Sequence, residues 1–201
     1  MLEGQVNKVA HRYNSPGRFF HNLDHVMYIY DRLGEWGVFR GFAVNEMILY
    51  HDAILDPLSN NNEEMSAELF LSENPDIPQN TKDRVVEGIL ATKHHPSATT
   101  DDLELLYFLD ADMSVMADSL DVYKRYAVNI AREYLYAGVD YDTYRYGRVQ
   151  FLKNARSSNP FHMPPMMARY AVLMRNVDWE IRNLPHVMQD ALTNRFNSYY
   201  L

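Results

Sequence analysis

The residues with the clearest chemical potential are His51 and Asp52, adjacent in Tyr50-His51-Asp52-Ala53. Met47 and Ile48 stand one helical turn earlier, so a helix over about Phe42–Leu55 turns both side chains toward its apolar side. A carboxylate there is costly, and a buried charge is neutralised, paired or bound to a metal. Candidate partners are few. His25 lies in an earlier apolar segment beside Val26 and Ile29, with His21 one turn before it. Asp110 and Asp112 interrupt the apolar stretch Leu105–Met113. Imidazoles and carboxylates projecting from several helices are a normal way to build a metal site in a bundle core. A His/His/Asp/Asp donor set is hard to borderline; it suits Mn²⁺, Fe²⁺, Co²⁺, Ni²⁺ or Zn²⁺ and disfavours Cu⁺. A single His or Asp on an apolar face is more often a satisfied core residue. The order His25, His51-Asp52, Asp112, each on a face expected to be buried, is what points toward a metal.

Helices must carry these residues, because no sustained period-two alternation and no hairpin signal occurs anywhere in the chain. The apolar spacing and the breakers predict helices over about Glu3–Tyr13, Phe19–Trp36, Phe42–Leu55, Asn62–Ser72 and Thr81–His94. Four more follow, over about Leu103–Met116, Leu120–Tyr136, Tyr141–Ser157 and Met166–Leu184. The expected fold is therefore an all-α bundle of eight or nine helices in a single domain spanning residues 1–201. Leu105-Leu106-Tyr107-Phe108-Leu109 is apolar all round, which makes its helix central.

Composition narrows the function classes. At 201 residues the chain can bury one substantial core. A net charge of −8 argues against a general nucleic-acid or membrane-surface binder. The absence of cysteine excludes disulfides and thiolate metal sites and favours the cytoplasm. The first residues lack a signal-peptide pattern, and no apolar run approaches the ~20 residues that span a bilayer. Tyr123, Tyr126, Tyr134, Tyr136, Tyr141, Tyr144 and Tyr146 read first as helix contacts with polar tips. The aromatic surface content admits a homodimer.

In these motifs the chain resembles the HD superfamily of metal-dependent phosphohydrolases, all-helical proteins with a distal His, an adjacent His-Asp and a later Asp. His25, His51-Asp52 and Ala111-Asp112 follow that order. The resemblance extends to a bacterial branch of predicted HD phosphohydrolases through Arg18-Phe19-Phe20-His21-Asn22, Asp56-Pro57 and the stretch Asn62–Ala67. Thr92-Lys93-His94-His95, Leu109-Asp110-Ala111-Asp112, Glu133-Tyr134, Gly147-Arg148 and Arg175-Asn176 extend it further, over about residues 10–185.

This resemblance implies one divalent metal ion (Mn, Fe, Co, Ni, Zn or Mg) held by His25, His51, Asp52 and Asp112. Asp110 competes for the fourth place, and Asp112 is preferred because it occupies the Ala-Asp position. The ion would acidify a water for attack on phosphorus, with Asp52 and Glu64 as catalytic residues that orient that water. Arg18, His21, Lys93, His95 and Arg148 would contact the substrate, since guanidinium matches phosphate oxygens in bidentate fashion. The implied partner is a small-molecule phosphate ester or a nucleotide, not nucleic acid or membrane. HD hydrolases of guanosine alarmones carry Glu-Asp soon after His-Asp; here the dipeptide is Leu55-Asp56, so alarmones are not the expected substrate. The alternative is a metal- or nucleotide-binding HD sensor without turnover.

Overall fold

Seven of the nine residues of one short helix, Phe42–Tyr50, are buried, and the other elements of the first half pack around it. The structure, a computed structural model, describes residues 2–97 and 100–193. Among these it holds ten α-helices and no strand. The first five are α1 (Leu2–Tyr13), α2 (Leu23–Glu35), α3 (Phe42–Tyr50), α4 (Asn62–Glu73) and α5 (Gln79–Ala91). Then come α6 (Leu103–Met113), α7 (Leu120–Tyr136), α8 (Tyr141–Ser158), α9 (Pro164–Met167) and α10 (Tyr170–Thr193). The all-α class is as expected. The helix count exceeds eight or nine because the last segment divides into α9 and α10. No helix among the described residues is long and apolar enough to cross a membrane.

Apolar side chains collect in two clusters. One joins α1 to α6 around Met47, Ile48, Phe70, Ile89 and Phe108. The other joins α7, α8 and α10 around Tyr123, Ala127, Leu152 and Val177, and reaches back to Phe20. Local signals explain most helix ends. Asn22 caps α2 by accepting from the Asp24 and His25 amides, and Asp102 caps α6 through the Glu104 and Leu105 amides. Asp140 accepts from the Thr143 amide at the start of α8.

Of the boundaries that differ from the sequence-based expectation, four have a visible reason. α2 begins at Leu23 rather than Phe19, because the amides of Phe19, Phe20 and His21 all donate to Glu133. α3 stops at Tyr50, not Leu55, because the Arg18 guanidinium captures the Asp52 and Ala53 carbonyls at 2.7 and 3.0 Å. α5 gives way at Thr92 to a 3₁₀ turn (Thr92–Ser97) with a kink at His94, whose φ is −140°. α10 runs nine residues past Leu184 despite Pro185, as Val187, Met188 and Ala191 continue its buried face. That packing outweighs the hydrogen bond the proline removes.

Candidate metal centre

His25 and His51 are each 1 % exposed, on α2 and at the end of α3, and their Nε2 atoms stand 3.3 Å apart. Two ring nitrogens at that distance cannot both point a hydrogen at each other. The Ile48 carbonyl accepts from His51 Nδ1 at 3.0 Å, so in neutral His51 the Nε2 atom carries the free lone pair. His25 packs on Phe20 and His51 edge-on to Phe108, which holds both rings in place between the two apolar clusters.

Two carboxylates close on this pair. Asp52 Oδ2 lies 3.0 Å from His51 Nε2 and 3.6 Å from His25 Nε2. Asp112 Oδ1 lies 3.0 Å from His25 Nε2 and 3.7 Å from His51 Nε2. Two ligands each ~2.1 Å from one ion and ~90–110° apart stand about 3.0–3.4 Å from each other. The shorter separations meet that spacing, and the two longer ones are within a few tenths of an ångström of it. Donor atoms of His25, His51 and Asp52 all lie within 4.8 Å of one another, a group that could hold a metal ion. Nitrogen and carboxylate donors together suit a borderline or hard divalent cation.

Charge and burial act together here. Desolvation pulls His25 below the usual histidine range. His51 is also desolvated, but the Asp52 carboxylate overrides this and raises it to about 9. Burial pushes the Asp52 pKa up, but the His51 imidazole beside it more than reverses that and holds it well below the usual carboxylate range. Asp112 is lowered too, against desolvation, by hydrogen bonds from His25 and His95. Both acids are thus ionised, and a cation bound here at neutral pH would displace a proton from His51.

The two acids of α6 point in different directions. Asp110 is fully buried, and its two oxygens accept from the His162 and Met163 amides, both at 2.8 Å. It tethers the segment before α9. Asp112, two residues on and so roughly 200° around the helix, faces the imidazoles.

The expected contact residues take varied positions. His95 Nε2 lies 3.0 Å from Asp112 Oδ2, so it orients that carboxylate from behind. His21 lines the cavity described below, and its Nδ1 is 2.6 Å from Glu133 Oε2. Lys93 lines it as well, with Nζ 2.6 Å from Glu64 Oε1. Glu63, not Glu64, borders the cavity. Arg18 points away from it, to the carbonyls of His21, Asp52 and Ala53, and its guanidinium lies over the Tyr13 ring. Arg148 is buried in a bidentate pair with Glu180, at 2.7 and 3.1 Å.

Three functional-looking residues had no stated role in the sequence reading. Glu133 was visible only as part of a matched dipeptide. It anchors the turn before α2 and so fixes His21 and His25. His162 donates its amide to Asp110 and places its ring Nε2 2.8 Å from the His95 carbonyl. Glu180 neutralises Arg148. Their partners lie far away in sequence, and no local spacing announces them.

Asp52, Asp112, His21 and His95 line a cavity of about 740 Å³. Tyr126, Ile130, Tyr134, Tyr144 and Phe151 line it as well. Compared with known proteins, the chain matches no family model, no curated protein and no solved structure.

Proposed function

We propose that this chain is a metal-dependent phosphohydrolase of the HD type, acting on a small-molecule phosphate ester such as a nucleotide. The observation that carries this reading is the facing pair of imidazole nitrogens, 3.3 Å apart and flanked by Asp52 and Asp112, two carboxylates that line a cavity large enough for a small ligand. One divalent cation (Mn, Fe, Co, Ni, Zn or Mg) held by His25, His51, Asp52 and Asp112 supplies a Lewis acid for phosphorus–oxygen chemistry and a water acidified toward neutrality.

The chain's own residues do the rest. Asp52 has a second oxygen with which to orient an attacking water. His95 holds Asp112 in register through its second oxygen. His21, raised to about 9 because Glu133 overrides the effect of its burial, presents an imidazolium to the cavity. That cation suits a phosphate oxygen or a departing alkoxide. Glu63 and the Lys93–Glu64 pair border or flank the entrance from α4 and the turn after α5.

The test is turnover of a phosphate-ester panel by Mn²⁺- and Co²⁺-loaded protein, with His51→Ala as control. The reading predicts release of phosphate or of a phosphorylated product by the wild type, and a loss of at least ~100-fold in the variant. Equal rates in both proteins would remove the assignment.

One observation favours the second reading, a metal- or nucleotide-binding sensor. Glu64, expected to assist the water, is paired with Lys93 and does not line the cavity. The sensor predicts bound metal and ligand-dependent thermal stabilisation with no product.

A further inference from the structure

The lining of the cavity is of two kinds. Asp52 and Asp112 are ionic, while Tyr126, Tyr134, Tyr144 and Phe151 present aromatic rings, with Tyr134 and Tyr144 at 5.4 Å between centroids. The lysine and the arginine that line the cavity are both committed to carboxylates. Lys93 pairs with Glu64. Arg148 gives Nε and Nη2 to Glu180 and Nη1 to the Tyr126 hydroxyl, at 3.2 Å. Its guanidinium carbon lies 5.0 Å from the ring centroids of both Tyr126 and Phe151. The Tyr123 hydroxyl, 2.5 Å from Glu180 Oε2, completes the pair from behind. Arg148 thus reaches the cavity already neutralised.

A second phosphate among these rings would be stripped of water beside Glu180, with Lys93 and Arg148 already paired to carboxylates. A planar, uncharged group stacks on the ring faces instead. We infer that the aromatic part of the lining seats a flat, uncharged ring, so that the ligand is a phosphate ester with a single phosphorus rather than a di- or polyphosphate. Glu180 is then a specificity-determining residue acting through Arg148. This inference rests on the phosphohydrolase reading for the phosphate, but not for the ring.

Calorimetry separates the two. The probes are naphthol, naphthyl phosphate, glycerol phosphate and pyrophosphate, each titrated into metal-free and Mn²⁺-loaded protein. Naphthol should bind the metal-free wild type, and Phe151→Ser, a change at a partly exposed ring, should weaken it about fivefold or more. Glycerol phosphate should be indifferent to that change. Naphthyl phosphate should bind the loaded protein at least tenfold more tightly than pyrophosphate does, and Glu180→Gln should narrow that gap by freeing Arg148. Should Glu180→Gln not fold, the Phe151→Ser comparison alone decides. Absence of naphthol binding, equal affinity for naphthyl and glycerol phosphates, or tighter binding of pyrophosphate would overturn the inference. Naphthol binding that Phe151→Ser weakens, with no ester hydrolysed, would leave the ring site standing and remove the reaction.

Discussion

Two buried groups of acids and bases sit within this bundle, and they are built in opposite ways. Around Glu180 every charge is answered: Arg148 grips it twice, Tyr123 donates to it, and Tyr126 takes the remaining guanidinium arm. Around His25 and His51 the arrangement is unfinished. Two ring nitrogens face each other at 3.3 Å, two carboxylates converge on them, and His25 Nδ1 is buried with no protein partner among the described residues. A closed network holds elements together. An open one, in which the donor atoms of two imidazoles and two carboxylates converge on a common point, is one that a cation would stabilise. The contrast between the two groups is what separates structure from function here.

The contrast can be broken first at its closed side. Glu180→Ala leaves Arg148 buried and unpaired, and should destabilise the fold by about 3–5 kcal/mol in denaturant unfolding. Its metal stoichiometry, measured below the unfolding transition, should match the wild type. A variant as stable as the wild type would show that the network does not hold α8 to α10.

The open side should respond the other way. His95→Gln removes the group behind Asp112 and should lower metal affinity by ~10–100-fold, with little change in metal-free stability. Competition against a fluorescent chelator reads this directly. An unchanged affinity would detach His95 from the centre.

A third effect concerns pH. His21 in the folded protein is raised from 6.5 to about 9, because Glu133 overrides its desolvation. A raised folded value means that its contribution is complete below 6.5 and is lost as pH rises through about 9. Metal-free stability should therefore fall across that window, by up to ~1.4 kcal/mol per pH unit for this group. Glu133→Gln should flatten its share, while the Arg148–Glu180 pair stays intact over the same range. A flat profile in the wild type would contradict the His21–Glu133 pairing.

Much of the open site was legible in the sequence because it is built from recognisable types on apolar segments. His25, His51 and Asp112 lie on helical faces the periodicity marks as buried, and the structure brings them together. What the sequence did not show is how Asp52 gets there. The expected continuous helix ends at Tyr50, and Asp52 sits in a turn held by Arg18, a residue read beforehand as a phosphate contact. Helix propensity carries no information about a guanidinium arriving from another segment. For the same reason Glu133 and Glu180 gave no local sign of their importance, since each answers groups that only tertiary packing supplies. The kink at His94, which turns His95 onto Asp112, has no propensity signature. The fold class needed none of this detail, since apolar spacing and breakers alone carry it.

The account stands most directly on metal content. Purified protein should be equilibrated with Mn²⁺, Co²⁺ or Zn²⁺, freed of excess, and analysed for elements beside His51→Ala and Asp112→Ala. About one divalent cation per wild-type chain is expected, with a loss in both variants exceeding the ~10–100-fold expected when a group behind a ligand is removed. A wild type that retains none of the three metals, or variants that retain as much as it does, would contradict it.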